Sequence, residues 1–211
     1  QISIVQIVRE EYEMILLSQI IDSPLGKKLV FRGGTALRLA YHSLCFSDDL
    51  DFSQLQKINF KSFKNLCSQI SQKHPYLKLE IVRNKYFTLF ALFKITDPVL
   101  SENISIKIEI STRKESWKTN KDYSLMKLSS ETTPITSVVY VASLDKIEKE
   151  KLSINPPRVR DIFDLWYIGQ ITGKLFALDF HQFKPSEIDG DLKRLLSKST
   201  RNMLEPYFPK K

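Results

Sequence analysis

The sequence is poor in sulfur and imidazole. Its two cysteines, Cys45 and Cys67, are far apart and form no CxxC pair, which argues against a disulfide scaffold or a zinc site. Its three histidines, His42, His74 and His181, are scattered, so no imidazole cluster is visible. No apolar run approaches the ~18 residues of a membrane helix, and no secretory leader pattern is present. The chain therefore reads as cytoplasmic, with no membrane partner. It starts at Gln1 rather than Met, so residues are expected upstream. Repeats and low-complexity tracts are also missing.

What is present suits a folded domain with an anionic partner. Hydrophobic residues make up 42% of the 211 positions, enough for a packed core. Lys plus Arg exceed Asp plus Glu by 32 to 24, a formal charge of +8. Such an excess fits RNA, DNA or a nucleotide, although plain solubility accounts for it equally.

The pattern of apolar residues divides the chain in two. A helix is expected over Ile4–Ile21, broken by Asp22-Ser23-Pro24, followed by a strand at Lys27–Phe31, a Gly33-Gly34 turn and a helix over Thr35–Leu44. Asp49–Ser53 alternates as a strand, Ile58–Ile70 reads as a helix, and three strands are expected at Leu77–Val82, Tyr86–Ile95 and Ile104–Ser111. The second of these is apolar on both faces, as a central strand is. Ser111–Pro134 reads as loop and Ser137–Ser143 as a last strand. Helices then follow at Asp145–Leu152, Arg160–Ile171 and Glu187–Ser199, with a rigid break at Asn155-Pro156-Pro157. The expectation is an α+β core over 1–143 and a helical part over 144–211.

Three constellations could carry chemistry. Gly33 and Gly34 leave no side chain in the way of a ligand, and the next helix points free N–H groups at the same place, a site for phosphate. A glycine pair before a helix is also an ordinary tight connection. Asp49 and Asp51 are two apart on a strand, so both carboxylates share a face. Keeping both ionised calls for a cation, and oxygen-only ligands favour Mg²⁺ or Mn²⁺. The alternative is an edge strand with acids facing water. Glu109, on the polar face of its strand, would be a third carboxylate if that strand lies beside the Asp49–Asp51 strand. Otherwise it is a surface acid pairing with Lys107. In the C-terminal part, Lys151 ends a helix and could reach phosphate as a point charge. Asp161 and Asp164 share a helix face, where acids also serve as dipole complements.

Taken together, "LVFRGGTALRLAYH…FSDDLDFS", the acid in "IKIEI", and "EKL…RVRDIFDLW" resemble the AbiEii/AbiGii nucleotidyltransferase toxins of abortive-infection systems. That family lies within the DNA polymerase β-like nucleotidyltransferase superfamily. The resemblance implies a mixed sheet flanked by helices and followed by a helical C-terminal part. It implies that Gly33, Gly34, Thr35 and Ser47 bind the phosphates of an NTP, and that Asp49, Asp51 and Glu109 hold metal. Lys151 would contact the nucleotide, and Asp161 and Asp164 would be the acids of the RD-x-x-D helix. The expected partners are an NTP, an RNA acceptor such as the tRNA 3′ end, and a cognate antitoxin. Two other readings remain: transfer to a small molecule such as an aminoglycoside, or a non-catalytic relative that binds nucleic acid.

Overall fold

Residues 2–208 are described in the computed structural model. Helix α1 (Ile4–Ile21) has the bounds its apolar spacing predicts. The Ser3 hydroxyl accepts from the Gln6 N–H, and the Gln6 side chain accepts in return from the Ser3 N–H, satisfying two donors that would otherwise be orphaned. A 3₁₀ turn at Gly26–Lys28 takes the start of the expected first strand, leaving β1 at Leu29–Arg32. Helix α2 (Gly33–Tyr41) begins on the two glycines rather than after them. His42, in the left-handed region at φ 60, ends it early. Leu44, expected on the buried face of that helix, is therefore exposed.

The remaining α/β elements are β2 (Asp49–Gln54), α3 (Phe60–Lys73), β3 (Leu77–Lys85), β4 (Thr88–Ile95), β5 (Ile104–Ser111), β6 (Tyr123–Leu128) and β7 (Ser137–Ala142). They form one seven-stranded sheet in the order β3-β4-β5-β2-β1-β7-β6. β2 runs parallel to β5 and β1 parallel to β7, and the other pairs are antiparallel. β6 corrects the loop expected over 111–134. It lies at the sheet edge and only Leu128 in it is fully buried, so it carries no clean alternation. β4 does have neighbours on both sides, but only one of its faces is sealed. Leu89, Ala91, Phe93 and Ile95 are buried, whereas Phe90 and Leu92 on the other face are half-exposed.

The main core joins the sealed face of the sheet to the helices. Ile106, Ile108 and Ile110 of β5 and Leu50 and Phe52 of β2 belong to it, with Phe63, Cys67 and Ile70 of α3 and Leu16, Leu17 and Ile20 of α1. Each such side chain contributes roughly 1.5–3 kcal/mol through burial.

Four helices follow: α4 (Leu144–Leu152), α5 (Val159–Thr172), α6 (Pro185–Leu195) and α7 (Lys198–Leu204). The single helix expected over 187–199 is two, because Ser197 accepts from the Thr200 N–H and starts a new one. A second core gathers Val159, Phe163, Phe180, Ile188, Leu192 and Leu195 together with Cys45. Ile147 of α4 and Ile168 of α5 instead join the main core. The segment before β2 is tied to α6, since the Phe46 N–H donates to the Leu195 carbonyl at 2.8 Å. The Gln6 side chain donates to the Arg194 carbonyl at 2.7 Å. No helix among the described residues is long and apolar enough to cross a membrane.

Candidate active site

The strand register brings the carboxylates together. Asp51 of β2 is the direct partner of Glu109 on β5, and Asp49 is the partner of Lys107. Since side chains alternate along a strand, Asp49, Asp51 and Glu109 share one face of the sheet. All three line a cavity of about 130 Å³, together with Gly33, Gly34, Ser47, Lys151 and Asp164.

The glycines are required by close approach. Gly33 sits at φ +80, and a Cβ there would meet Asp51 Oδ2 at 2.6 Å. A Cβ on Gly34 would meet Ser47 Oγ at 3.0 Å. The first turn of α2 thus lies against the carboxylate strand on one side and Ser47 on the other. Thr35 has a different task. It is buried, does not line the cavity, and its hydroxyl donates to the Asp49 carbonyl at 2.5 Å. It ties α2 to the start of β2.

Lys151 is 5% exposed, and its ammonium lies 3.0 Å from Asp161 and 2.5 Å from Asp164. Burial works against its charge, but Asp164 and Asp161 outweigh burial and hold its pKa above the usual lysine value. Asp161 is fully buried behind the cavity and does not line it. Burial would raise its pKa, yet the Arg158 hydrogen bonds and Lys151 bring it down to about 2. Asp164 does reach the cavity; burial pushes its carboxyl up against the pull of Lys151. Asp161, itself held by Arg158, therefore braces Lys151.

Asp51 is electrostatically crowded. Burial first, then Glu150, Asp49 and Glu109, push its pKa up to about 6, with Arg32 opposing. Lys107 lies 3.3 Å from Asp49, and Lys85 lies 3.7 Å from Glu109. Among the described residues, no three ligand-type side chains stand as a ready-made metal cage. The donor chemistry nevertheless fits a hard divalent ion: oxygen atoms only, of one charge, whose mutual repulsion a cation would relieve.

Glu150, Arg32, Arg158 and Arg160 complete the site and were not picked out from the sequence. Glu150 lines the cavity and pairs with Arg32 at 3.3 Å, and Arg158 and Arg160 line the cavity as well. Glu150 precedes Lys151 directly, and Arg158 stands three residues before Asp161. Those spacings were the available signals.

A family model described as the AbiEii nucleotidyl transferase toxins of type IV toxin–antitoxin systems matches residues 15–202. The chain belongs to the AbiEii family. Solved structures share this AbiEii fold. JHP933 from Helicobacter pylori matches with a TM-score of 0.61 and 21% identity, over 92% of this chain and 81% of its own. The MenT4 nucleotidyltransferase toxin from Mycobacterium tuberculosis matches with a TM-score of 0.57 and 20% identity, over 77% of this chain and 58% of its own. No curated protein matches the sequence.

Proposed function

We propose that this AbiEii-family protein transfers a nucleoside monophosphate from an NTP to the terminal hydroxyl of an RNA, the tRNA 3′ end being the expected acceptor. The observation that carries this reading is the set of Asp49, Asp51 and Glu109 on one sheet face, beside the Gly33–Gly34 turn and Ser47, in one cavity. The free N–H groups of the first turn of α2 are placed to receive the triphosphate, where side chains are absent. Lys151, braced by Asp161, faces the same cavity through Asp164 and balances charge beside the phosphates. Asp49 and Asp51, with Glu109, are the residues that would hold a divalent ion such as Mg²⁺ or Mn²⁺. When bound, that ion supplies charge neutralisation and orients phosphate oxygens.

In the reaction, the acceptor oxygen forms a bond to the α-phosphorus. The bond from that phosphorus to the oxygen shared with the β-phosphate breaks, and pyrophosphate leaves with the electron pair. Glu109, whose side chain lines the cavity and is 40% exposed, either helps to hold the ion or takes the hydroxyl proton. Positioning and electrostatics do the remaining work.

The basic balance of the chain, +8, favours a polyanionic acceptor over a cationic drug. The paired acids disfavour a purely nucleic-acid-binding role, since such a module has no use for carboxylates facing a polyanion. A cognate antitoxin partner follows from the family. The test is incubation with α-labelled NTPs, a divalent ion and total RNA. Label in RNA is expected for the wild type and not for Asp49→Ala or Asp51→Ala. Label transferred by either variant at the wild-type rate would end the mechanism.

A further inference from the structure

The strand register continues past the carboxylates. Glu109 is opposite Phe90 on β4, and Phe90 is opposite Arg83 on β3. Asp51, Glu109, Phe90 and Arg83 thus make one straight row across four adjacent strands. At about 4.8 Å per strand the row is about 14 Å long. The neighbouring row on the same face runs through Asp49, Lys107 and Leu92. This face is open where the opposite face is sealed: Phe90 and Leu92 are half-exposed, and Arg83, Lys85 and Lys107 are exposed.

Beyond the carboxylates, the row continues with an aromatic ring and cations. The Lys85 ammonium lies 3.8 Å from the centre of the Phe90 ring while also reaching Glu109. Lys94, on the same face, is held by Glu80 at 3.6 Å. These are exposed ion pairs, which are weak and easily exchanged for phosphate. Beyond Lys85, the β3–β4 hairpin tip projects Tyr86, which is 90% exposed.

We propose that this open face of β3–β4–β5 binds the single-stranded 3′ segment of the RNA acceptor, delivering its terminal hydroxyl to Glu109. The proposal rests on the transferase reading above and adds the path by which the acceptor arrives. A partly exposed sheet face with a ring flanked by cations suits unpaired bases, which stack on the ring while phosphates meet Arg83, Lys85, Lys94 and Lys107. Duplex RNA hides its base faces and has no use for Phe90. A protein partner is disfavoured because interface centres are depleted of charge, and here the cations flank the only ring in the row.

The test is fluorescence anisotropy with a labelled single-stranded oligoribonucleotide of mixed sequence, measured across a salt series, with thermal melting of each variant as the fold control. Arg83→Gln/Lys94→Gln changes two side chains on the open face. It is expected to weaken binding by about tenfold and to make the log–log salt dependence shallower by about 1.4, near 0.7 for each lost phosphate contact. Phe90→Leu is expected to weaken binding by about tenfold with an unchanged salt slope, as loss of one stacked base would. Wild-type affinity in the double variant would overturn the proposal. So would displacement of the RNA by polyglutamate at equal charge together with a silent Phe90→Leu, which would mark a surface for acidic protein. The two readings fail separately. RNA bound in this way but never labelled would end the transferase reading and keep the face. Labelling that survives these variants unchanged would keep the transferase and remove the face.

Discussion

Gly33 and Asp51 stand so close that a single methyl group on the glycine would lie 2.6 Å from a carboxylate oxygen. The backbone at Gly33 is also in the left-handed region, at φ +80. A side chain there costs about 1–2 kcal/mol in backbone strain alone. Gly33→Ala is therefore expected to lower stability by about that amount while reducing nucleotide transfer by well over tenfold, because Asp51 must move. At Gly34 the approach is to Ser47 at 3.0 Å, so Gly34→Ala should chiefly raise KM for the NTP. Steady-state kinetics beside urea unfolding separates the two effects.

Asp51 sets a pH dependence of stability. Its carboxyl titrates at about 6 in the folded protein, above its ordinary value, chiefly through burial and then the neighbouring acids. The folded state binds more protons than the unfolded one between those values, so stability falls as pH rises through about 4 to 6. In chelator, Tm should drop across that window for the wild type and drop less steeply for Asp51→Asn, in which the buried Glu13 and Asp164 carboxyls are still raised. Adding Mg²⁺ at pH 7 should raise Tm in the wild type and much less in the variant. A pH profile identical in both proteins would contradict the crowding of Asp51.

Lys151 holds two buried carboxylates, at 3.0 Å and 2.5 Å. Lys151→Met leaves both without their ammonium, and breaking a buried pair from one side costs about 3–5 kcal/mol. Arg158 still serves Asp161 at 2.7 Å, so the uncompensated charge is mainly that of Asp164. Lys151→Met/Asp164→Leu should accordingly recover much of the lost stability in chemical unfolding while remaining inactive in transfer.

Thr35 tests whether its hydroxyl serves phosphate or fold. Its bond to the Asp49 carbonyl points to fold. Thr35→Val should lower stability by about 1 kcal/mol and slow turnover modestly, with KM for the NTP unchanged. A large rise in KM would restore a phosphate-binding role.

Alternation alone was enough to place Asp49 with Asp51 and to put Glu109 on the polar face of its strand. That these strands are neighbours was not legible, because β2 and β5 are joined by α3 and two intervening strands, and order within a sheet is a tertiary choice. Edge strand β6 escaped for lack of a buried face. Glu150, Arg32 and Arg158 escaped because their part depends on which elements meet at the cavity. The resemblance assigns Thr35 to the phosphates, while the reach of its hydroxyl back to β2 is a matter of three-dimensional approach. The glycine pair was read as a turn, but its side-chain-free corner serves the first turn of a helix.

The hydrogen bond from Phe46 to Leu195 and the pairing of Asp48 with Arg194 fasten the segment before β2 to helix α6. A polypeptide shortened to its sheet would keep all three acids yet lose the buttress that sets the loop entering β2. On the proposed transferase reading, prying α6 loose is therefore expected to slow nucleotide transfer while every residue of the cleft stays in place.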